Sequence, residues 1–470
     1  MSSITEGLDR LTAPAKEKRN LEQLLSENER LEKIKAVINH ERKHIIPRGQ
    51  DYSYIPASLT YESYNHQWIR DSSKGILHLL ELLDFAYESG MHFYLGKDVE
   101  NIECDLAKSI NTLWKAAEFF VENISKHEIR DISRLESKLG KNHVLGRFEI
   151  DENTNVRLCE ADRGQLEEGR SWQMQYDSVP LIILATNKFI ASYGTERIKE
   201  SMPIAKKVLP WLASYMMNYY TTPCADAWEQ YYSYNNEPTN SGNKNVGKTI
   251  DSYSLSALYA GIGAAKGLAD TLNVPLPDLD QGKIEEFLFR YFVYKADSLA
   301  VQVLSKSKKE YGETMESIDS EAVEIFRLFK PKSLIGSDIE FNTINTIERT
   351  LIGKNTLPIR YKFFGKDENI KDSYFDGGRW LPNGLELAMY YVDTGEIDKA
   401  RKIIEYVENK ISLDGSLPEQ ELVDPASPNN DPSNYFAKNG NSMINCLWWS
   451  ETAYLAAVSK YMRAAISANI

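Results

Sequence analysis

The chain has 470 residues, of which 42% are apolar and 26% charged, with a net charge of −13. That length holds a large core, and the acidic balance argues against nucleic acid or an anionic membrane as partner. The opening residues lack an apolar leader and no run reaches the ~18 apolar residues of a membrane span, so a cytoplasmic protein is expected.

In chain order, residues 1–15 read as a tail. Residues 16–45 read as an amphipathic helix whose Leu21, Leu24, Leu25, Leu31, Ile34, Val37, Ile38 and Ile45 lie near one face. This helix is expected to pack on the body of the protein, giving an N-terminal unit over 1–50 and a catalytic domain over 51–470. An aromatic, turn-rich stretch covers 51–70. Helical periodicity then recurs over 72–89, 102–125, 177–193, 197–219, 250–271, 281–294, 320–330, 340–352, 383–394, 396–411 and 446–467. Residues 143–160 suggest a hairpin around Glu152-Asn153. No βα alternation is present, which counts against Rossmann and TIM-type folds. Helix pairs joined by long loops suggest an all-α toroid. Cys104, Cys159, Cys224 and Cys446 have no CxxC spacing, so neither a zinc site nor a disulfide framework is expected.

The loops gather aromatic, acidic and amide residues, the mixture that covers a pyranose face and bonds its hydroxyls. Tyr64 to Asp71 includes Trp68, Arg70 and Asp71. The last two read either as a sugar-gripping fork or as a helix cap with a surface arginine. Trp172 to Asp177 reads either as a sugar contact or as an aromatic staple ahead of a cap. Trp228-Glu229-Gln230 sets a carboxyl beside an indole, where desolvation raises a pKa and keeps an acid catalyst protonated. Arg360-Tyr361 and the stretch Tyr374 to Trp380 precede another helix. Glu419 follows Pro418, which stiffens the backbone ahead of it, and Trp449-Ser450 comes about thirty residues later.

Taken in order, these segments resemble the glucoamylase family, glycoside hydrolase family 15, in its compact bacterial and archaeal form. The resemblance runs from about Tyr64 to Tyr461 through Trp68-Ile69-Arg70-Asp71, Gln175-Tyr176-Asp177, Trp228-Glu229, Asp319-Ser320, Arg360-Tyr361, Tyr374 to Trp380, Gly415 to Gln420 and Trp449-Ser450. It implies an (α/α)6 barrel and an inverting, exo-acting α-glucosidase that releases β-D-glucose from non-reducing ends. Glu229 would be the general acid and Glu419 the general base. Tyr64, Trp68, Arg70, Asp71, Trp172, Trp228, Gln230, Arg360 and Trp449 would bind an α-linked glucose oligosaccharide or polysaccharide, with no cofactor and no metal. The chain departs from the family at Gln230, where a second Glu or an Arg is common, and at 231–247, which reads as an insertion. A helix stands where a β-sandwich often precedes the barrel. Trehalases of the family share both glutamates, so an α,α-trehalase is an alternative; a non-catalytic sugar-binding barrel is another.

One motif points elsewhere. His40-Glu41-Arg42-Lys43-His44 matches the H-E-x-x-H helix of zinc proteases, with Glu62 or His66 as possible third ligands. Arg42 and Lys43 sit where a buried site helix normally carries apolar residues, Pro47 follows closely, and the motif precedes the organised body of the chain. A metalloprotease is therefore the weaker reading.

Overall fold

The computed structural model describes residues 28–59, 66–125, 146–157, 176–221, 231–232, 238–239, 249–294, 298–299, 302–307, 310–314, 317–352, 354, 356–359, 361–363, 379–421 and 447–468. Besides a five-residue helix over Met91–Leu95, its helices are α1 (Asn28–Glu41), α2 (Ile69–Ser89), α3 (Lys97–Ser125), α4 (Ser178–Tyr193), α5 (Met202–Tyr219) and α6 (Ser252–Leu272). They continue with α7 (Gln281–Phe292), α8 (Ala322–Glu324, extended by a π turn over Ile325–Phe329) and α9 (Asp338–Ile347, extended by a π turn over Glu348–Ile352). The last are α10 (Leu381–Asp393), α11 (Ile397–Glu408) and α12 (Trp448–Ala468).

Burial sorts these helices into two layers. In α2 nearly every position is buried, including Ser72, Lys74 and His78, as expected of a helix inside a core. In α11 only the stripe Ala400, Ile403, Ile404, Val407 and Glu408 is buried. The inner helices pack in a closed ring, α2 on α4, α4 on α6, α6 on α8, α8 on α10, α10 on α12, and α12 back on α2. Outside it, α3 lies on α2 and α4, α5 on α4 and α6, α7 on α6, and α11 on α10 and α12. Helix α9 reaches α10 through Glu348, which accepts from Tyr391 at 2.5 Å. This is the (α/α)6 barrel. Each fully buried Leu or Ile of its double wall contributes about 1.5–3 kcal/mol before chain entropy is counted.

Of the helix expected over 16–45, residues 16–27 lie outside the described residues and Arg42–His44 is a 3-10 turn; residues 28–41 form α1, which packs on α12. Its Leu31, Ile34, Val37 and Ile38 are buried, as the amphipathic pattern predicts. Arg30 Nε donates to Glu408 Oε1 at 2.6 Å, and Trp448 Nε1 donates to Glu41 Oε1 at 2.9 Å. It thus takes the outer position beside the last inner helix. On the far side of that helix, α2 and α12 meet closely; a Cβ at Gly75 would overlap the Trp448 ring.

Strands are short. The expected hairpin pairs Arg147–Ile150 with Val156–Arg157 around Thr154, whose φ is 64°. A three-stranded sheet of Thr249–Asp251, Gln302–Ser307 and Glu310–Thr314 was not anticipated. It also corrects the start of the 250–271 helix. Residues up to Asp251 are extended, and Asp251 caps α6 by accepting from the backbone N–H groups of Tyr253 and Ser254. Among the described residues no helix is long and apolar enough to cross a membrane, and Cys104 is a free thiol. The other three cysteines lie outside the described residues.

Candidate active site

The inner helices begin at one end of the barrel, where backbone hydrogen bonds lace their entry segments into a rim. Trp380 N–H donates to Pro358 O at 3.0 Å, and Trp380 pairs with Gln420 in a short antiparallel ladder. Leu381 N–H donates to Glu419 O at 3.1 Å, and Leu447 N–H to Leu417 O at 3.1 Å. Trp448 N–H donates to Ala57 O at 3.0 Å, Ala57 N–H to His66 O at 3.1 Å, and Ile69 N–H to Gly146 O at 2.9 Å. The Glu419 backbone is therefore fixed between the first turns of α10 and α12, and its side chain is buried. Behind it, Gly415 turns with a φ of 92°, and a Cβ there would strike the carbonyl of Ala36 in α1. Only glycine lets this loop lie so close to the helix.

Beneath the rim the barrel interior is charged. Arg70 Nε donates to Asp177 Oδ2 at 2.5 Å, joining α2 to the entry of α4. Lys74 Nζ donates to Glu324 Oε1 at 2.8 Å and lies 3.9 Å from the ring centre of Trp449. The Tyr253 hydroxyl donates to Glu324 Oε2 at 3.1 Å, and Asn383 Nδ2 to Ser320 Oγ at 2.9 Å. One turn deeper, His78 Nε2 lies 2.7 Å from Glu386 Oε1, and Arg327 Nε donates to Glu386 Oε2 at 2.5 Å. Burial works to raise Glu386, but the Arg327 charge and the His78 contact outweigh it and hold the carboxyl down to about 2. Glu324 and Glu321 are instead pushed up, by burial first; Asp319 adds to the rise of Glu321, while Lys74 opposes both. Burial also raises Asp71, at the mouth of the barrel, to about 6, with Arg70 and Lys74 opposing.

Of the expected site residues, Trp68, Arg70, Asp71, Glu419 and Trp449 are described, and all belong to the rim or to the first turns of α2 and α12. Arg70 grips Asp177, and its charge also acts on the neighbouring Asp71. Asp177 correspondingly makes no side-chain cap bond at α4. Trp68 is buried under Arg147, whose guanidinium lies 5.0 Å from its ring centre. Tyr64, Trp172, Trp228, Glu229, Gln230 and Arg360 lie outside the described residues. Just after Glu229, Tyr231–Tyr232 pairs with Pro238–Thr239, a hairpin inside the expected insertion.

Lys74, His78, Glu324, Arg327 and Glu386 escaped the sequence reading. A signal existed: Lys74 and His78 are four apart in one helix, flanked by Ile76, Leu77, Leu79 and Leu80, and so share one face. The H-E-x-x-H segment is also not where the sequence placed it. It lies in the seam between α1 and α12, with His40, Glu41 and His44 all buried. Lys43 is exposed and the half-buried Arg42 pairs with Asp98 and Asp105 of α3, so their polarity did not rule out a buried pair. Burial, with Glu451 nearby, pushes Glu41 up to about 8, the Trp448 hydrogen bond opposing. A peptide has no route to these groups, and the proteolytic reading fails on access. His66, one expected third ligand, instead lies 3.5 Å from Glu149.

No family model matches the chain. It is 26% identical over 264 residues, 53% of its length, to an uncharacterized glycosyl hydrolase of Methanocaldococcus jannaschii, and the match spans only 37% of that relative. A wild-type glycosidase of solved structure covers 92% of this chain and 98% of its own, with a TM-score of 0.60 at 16% identity. The glucoamylase of Saccharomycopsis fibuligera covers 92% and 94%, with a TM-score of 0.55 at 12% identity. By fold the chain is an (α/α)6 barrel, the architecture it shares with these solved glycosidases. More narrowly, the barrel is glucoamylase-like in fold.

Proposed function

We propose that the chain is an inverting, exo-acting α-glucosidase that cuts terminal glucose from short α-glucans. The observation that carries this reading is the placement of Glu419, buried on the rim where the inner helices begin and tied by its own loop to the Trp449 segment. The glucoamylase-like fold supports it, as does the solved glycosidase, one variant of which is complexed with glucose. Glu419 takes a proton from the water that attacks the anomeric carbon. Glu229, as a carboxylic acid, gives its proton to the glycosidic oxygen on the opposite ring face, across a gap of about 6.5–9.5 Å. The C–O bond breaks, the new hydroxyl is β, and the released end keeps the acid's proton. Asp71, ionised above about pH 6, accepts hydroxyl hydrogen bonds from the bound sugar. Trp68 and Trp449 brace the pocket; Tyr64, Trp172, Trp228, Gln230 and Arg360 complete it.

The test is glucose release from maltose, isomaltose, maltotriose, trehalose and dextran, with proton NMR of the first-formed sugar. Glu229→Gln and Glu419→Gln are each expected to lower kcat by about 10²–10⁴-fold with KM little changed. An α-configured first product, or full activity in either variant, overturns the assignment. Release from trehalose alone would make the enzyme a trehalase.

A further inference from the structure

We propose that His40, His44 and Glu451 form a buried zinc-type cation site that fastens α1 and the Glu419 loop to α12. Their ligand atoms lie within 4.8 Å of one another. His44 Nδ1 is 3.3 Å from the carbonyl oxygen of Pro56, which can only accept, so Nδ1 carries a proton and the neutral imidazole keeps its lone pair on Nε2. That lone pair faces Glu451 Oε2 at 3.6 Å. Both atoms are fully buried, and neither has a hydrogen-bond partner. Two acceptors facing each other away from water repel, unless a proton or a metal ion lies between them, and the 3.6 Å gap is long for a shared proton. The separation is close to the edge of a tetrahedral zinc site, about 3.4 Å for ligands at about 2.1 Å.

The surroundings fit the same reading. His40 Nδ1 lies 2.9 Å from Glu451 Oε1, and its Nε2 lies 3.6 Å from Asp414 Oδ2. A carboxylate behind a ligating imidazole fixes its tautomer and raises its basicity, and Asp414 takes that place. The donor set, two imidazoles and one carboxylate, suits zinc better than calcium or magnesium. The ion would also bear on the rim. Leu417 N–H lies 3.4 Å from Glu451 Oε1, two residues before Glu419. The same Glu451 thus touches α1 through His40, the turn after it through His44, and the candidate base loop through its backbone. The role is positional, since no peptide or sugar reaches the site, and it does not depend on the glycosidase reading.

The experiment uses the full-length protein without a histidine tag. Zinc per chain is measured by mass spectrometry after dialysis, and chelator-stripped protein is titrated with Co²⁺. The expected result is one zinc per chain, a saturable 1:1 cobalt spectrum with tetrahedral intensity, and a Tm several degrees lower after stripping, restored by zinc. His44→Ala and Glu451→Gln should weaken cobalt binding at least 100-fold, while His92→Ala, elsewhere on the surface, retains it. If the variants do not fold, the wild-type titration still decides. Wild-type protein that holds no zinc, takes up no cobalt and keeps its Tm on stripping overturns the site and leaves a plain His40–Glu451 ion pair. So does His44→Ala with unchanged affinity. Because every readout is metal content or stability, failure here leaves the hydrolase assignment standing, and failure to release glucose leaves the metal site standing.

Discussion

Two buried clusters of charge flank α12, and they are balanced in opposite ways. Inside the barrel, Lys74 meets Glu324, and Arg327 with His78 meets Glu386, so each anion in these pairs has a protein cation or proton donor against it. In the outer seam, Glu451 is met by two imidazoles, one of which turns a lone pair toward it. The Lys74–Glu324 and His78–Glu386–Arg327 contacts are satisfied within the chain and join α2 to α8 and α10. The seam cluster has acceptors to spare, which is how a structure prepares for a ligand that the chain does not supply.

The contrast can be broken most forcefully from inside. Lys74→Met removes the cation and strands Glu324, with an expected loss of about 3–5 kcal/mol in urea unfolding. The double variant with Glu324→Gln should recover most of it. No recovery would mean that Lys74 acts by packing under Trp449 rather than by charge.

Acid reads the same pairing without a mutation. The folded Glu386 carboxyl is depressed to about 2 from 4.5, so its contribution is present above about pH 4.5 and lost as pH falls toward 2. That loss is on the order of 3 kcal/mol. Unfolding followed from pH 6 to pH 3 should show a shallower acid limb for Glu386→Gln than for the wild type.

The seam is probed through Gly415. Gly415→Ala combines a left-handed φ with overlap on Ala36, and should cost about 1–3 kcal/mol. A drop in kcat should accompany the lower Tm, because the same loop carries Glu419. Unchanged kcat would separate the seam from the site.

The smallest effect is at the mouth. Asp71 has a folded pKa raised to about 6 from 3.8. Its stabilising contribution is therefore present below about pH 3.8 and lost as pH rises through 6. Asp71→Asn should be the more stable protein at pH 8, by about 1 kcal/mol after allowance for its partial exposure, and equal to wild type at pH 4. Its KM should rise and lose any dependence on pH near 6. A variant with unchanged KM would remove Asp71 from the substrate pocket.

How much of this was legible depended on whether a residue's role follows from its neighbours in sequence. The helices of the double wall were readable because Ala400, Ile403, Ile404 and Val407, and their counterparts elsewhere, repeat at helical spacing. The hairpin at 147–157 was readable from its turn residues. The sheet joining 249–251 to 302–307 and 310–314 was not. Its strands are rich in Ser, Lys and Glu and pair across some fifty residues, so no local period marks them. Arg70 and Asp71 were noticed as adjacent, but the hydrogen bond from Arg70 goes to Asp177, 107 residues away. The seam was missed for a related reason. Arg42 and Lys43 looked wrong for a buried helix, yet a three-residue 3-10 turn over Arg42–His44 brings His44 inward while leaving Lys43 exposed and Arg42 paired with Asp98 and Asp105.

The position of α1 also sets a timetable. Its contacts on α12 join residues up to 411 apart, so the stripe of Leu31, Ile34, Val37 and Ile38 leaves the ribosome long before the surface that will cover it. At about 5–20 residues per second that interval is on the order of 20–80 s. Throughout it the nascent chain is an open arc with one greasy helix unmatched at its front end. That stripe is covered only once α12, on which it packs, has been made.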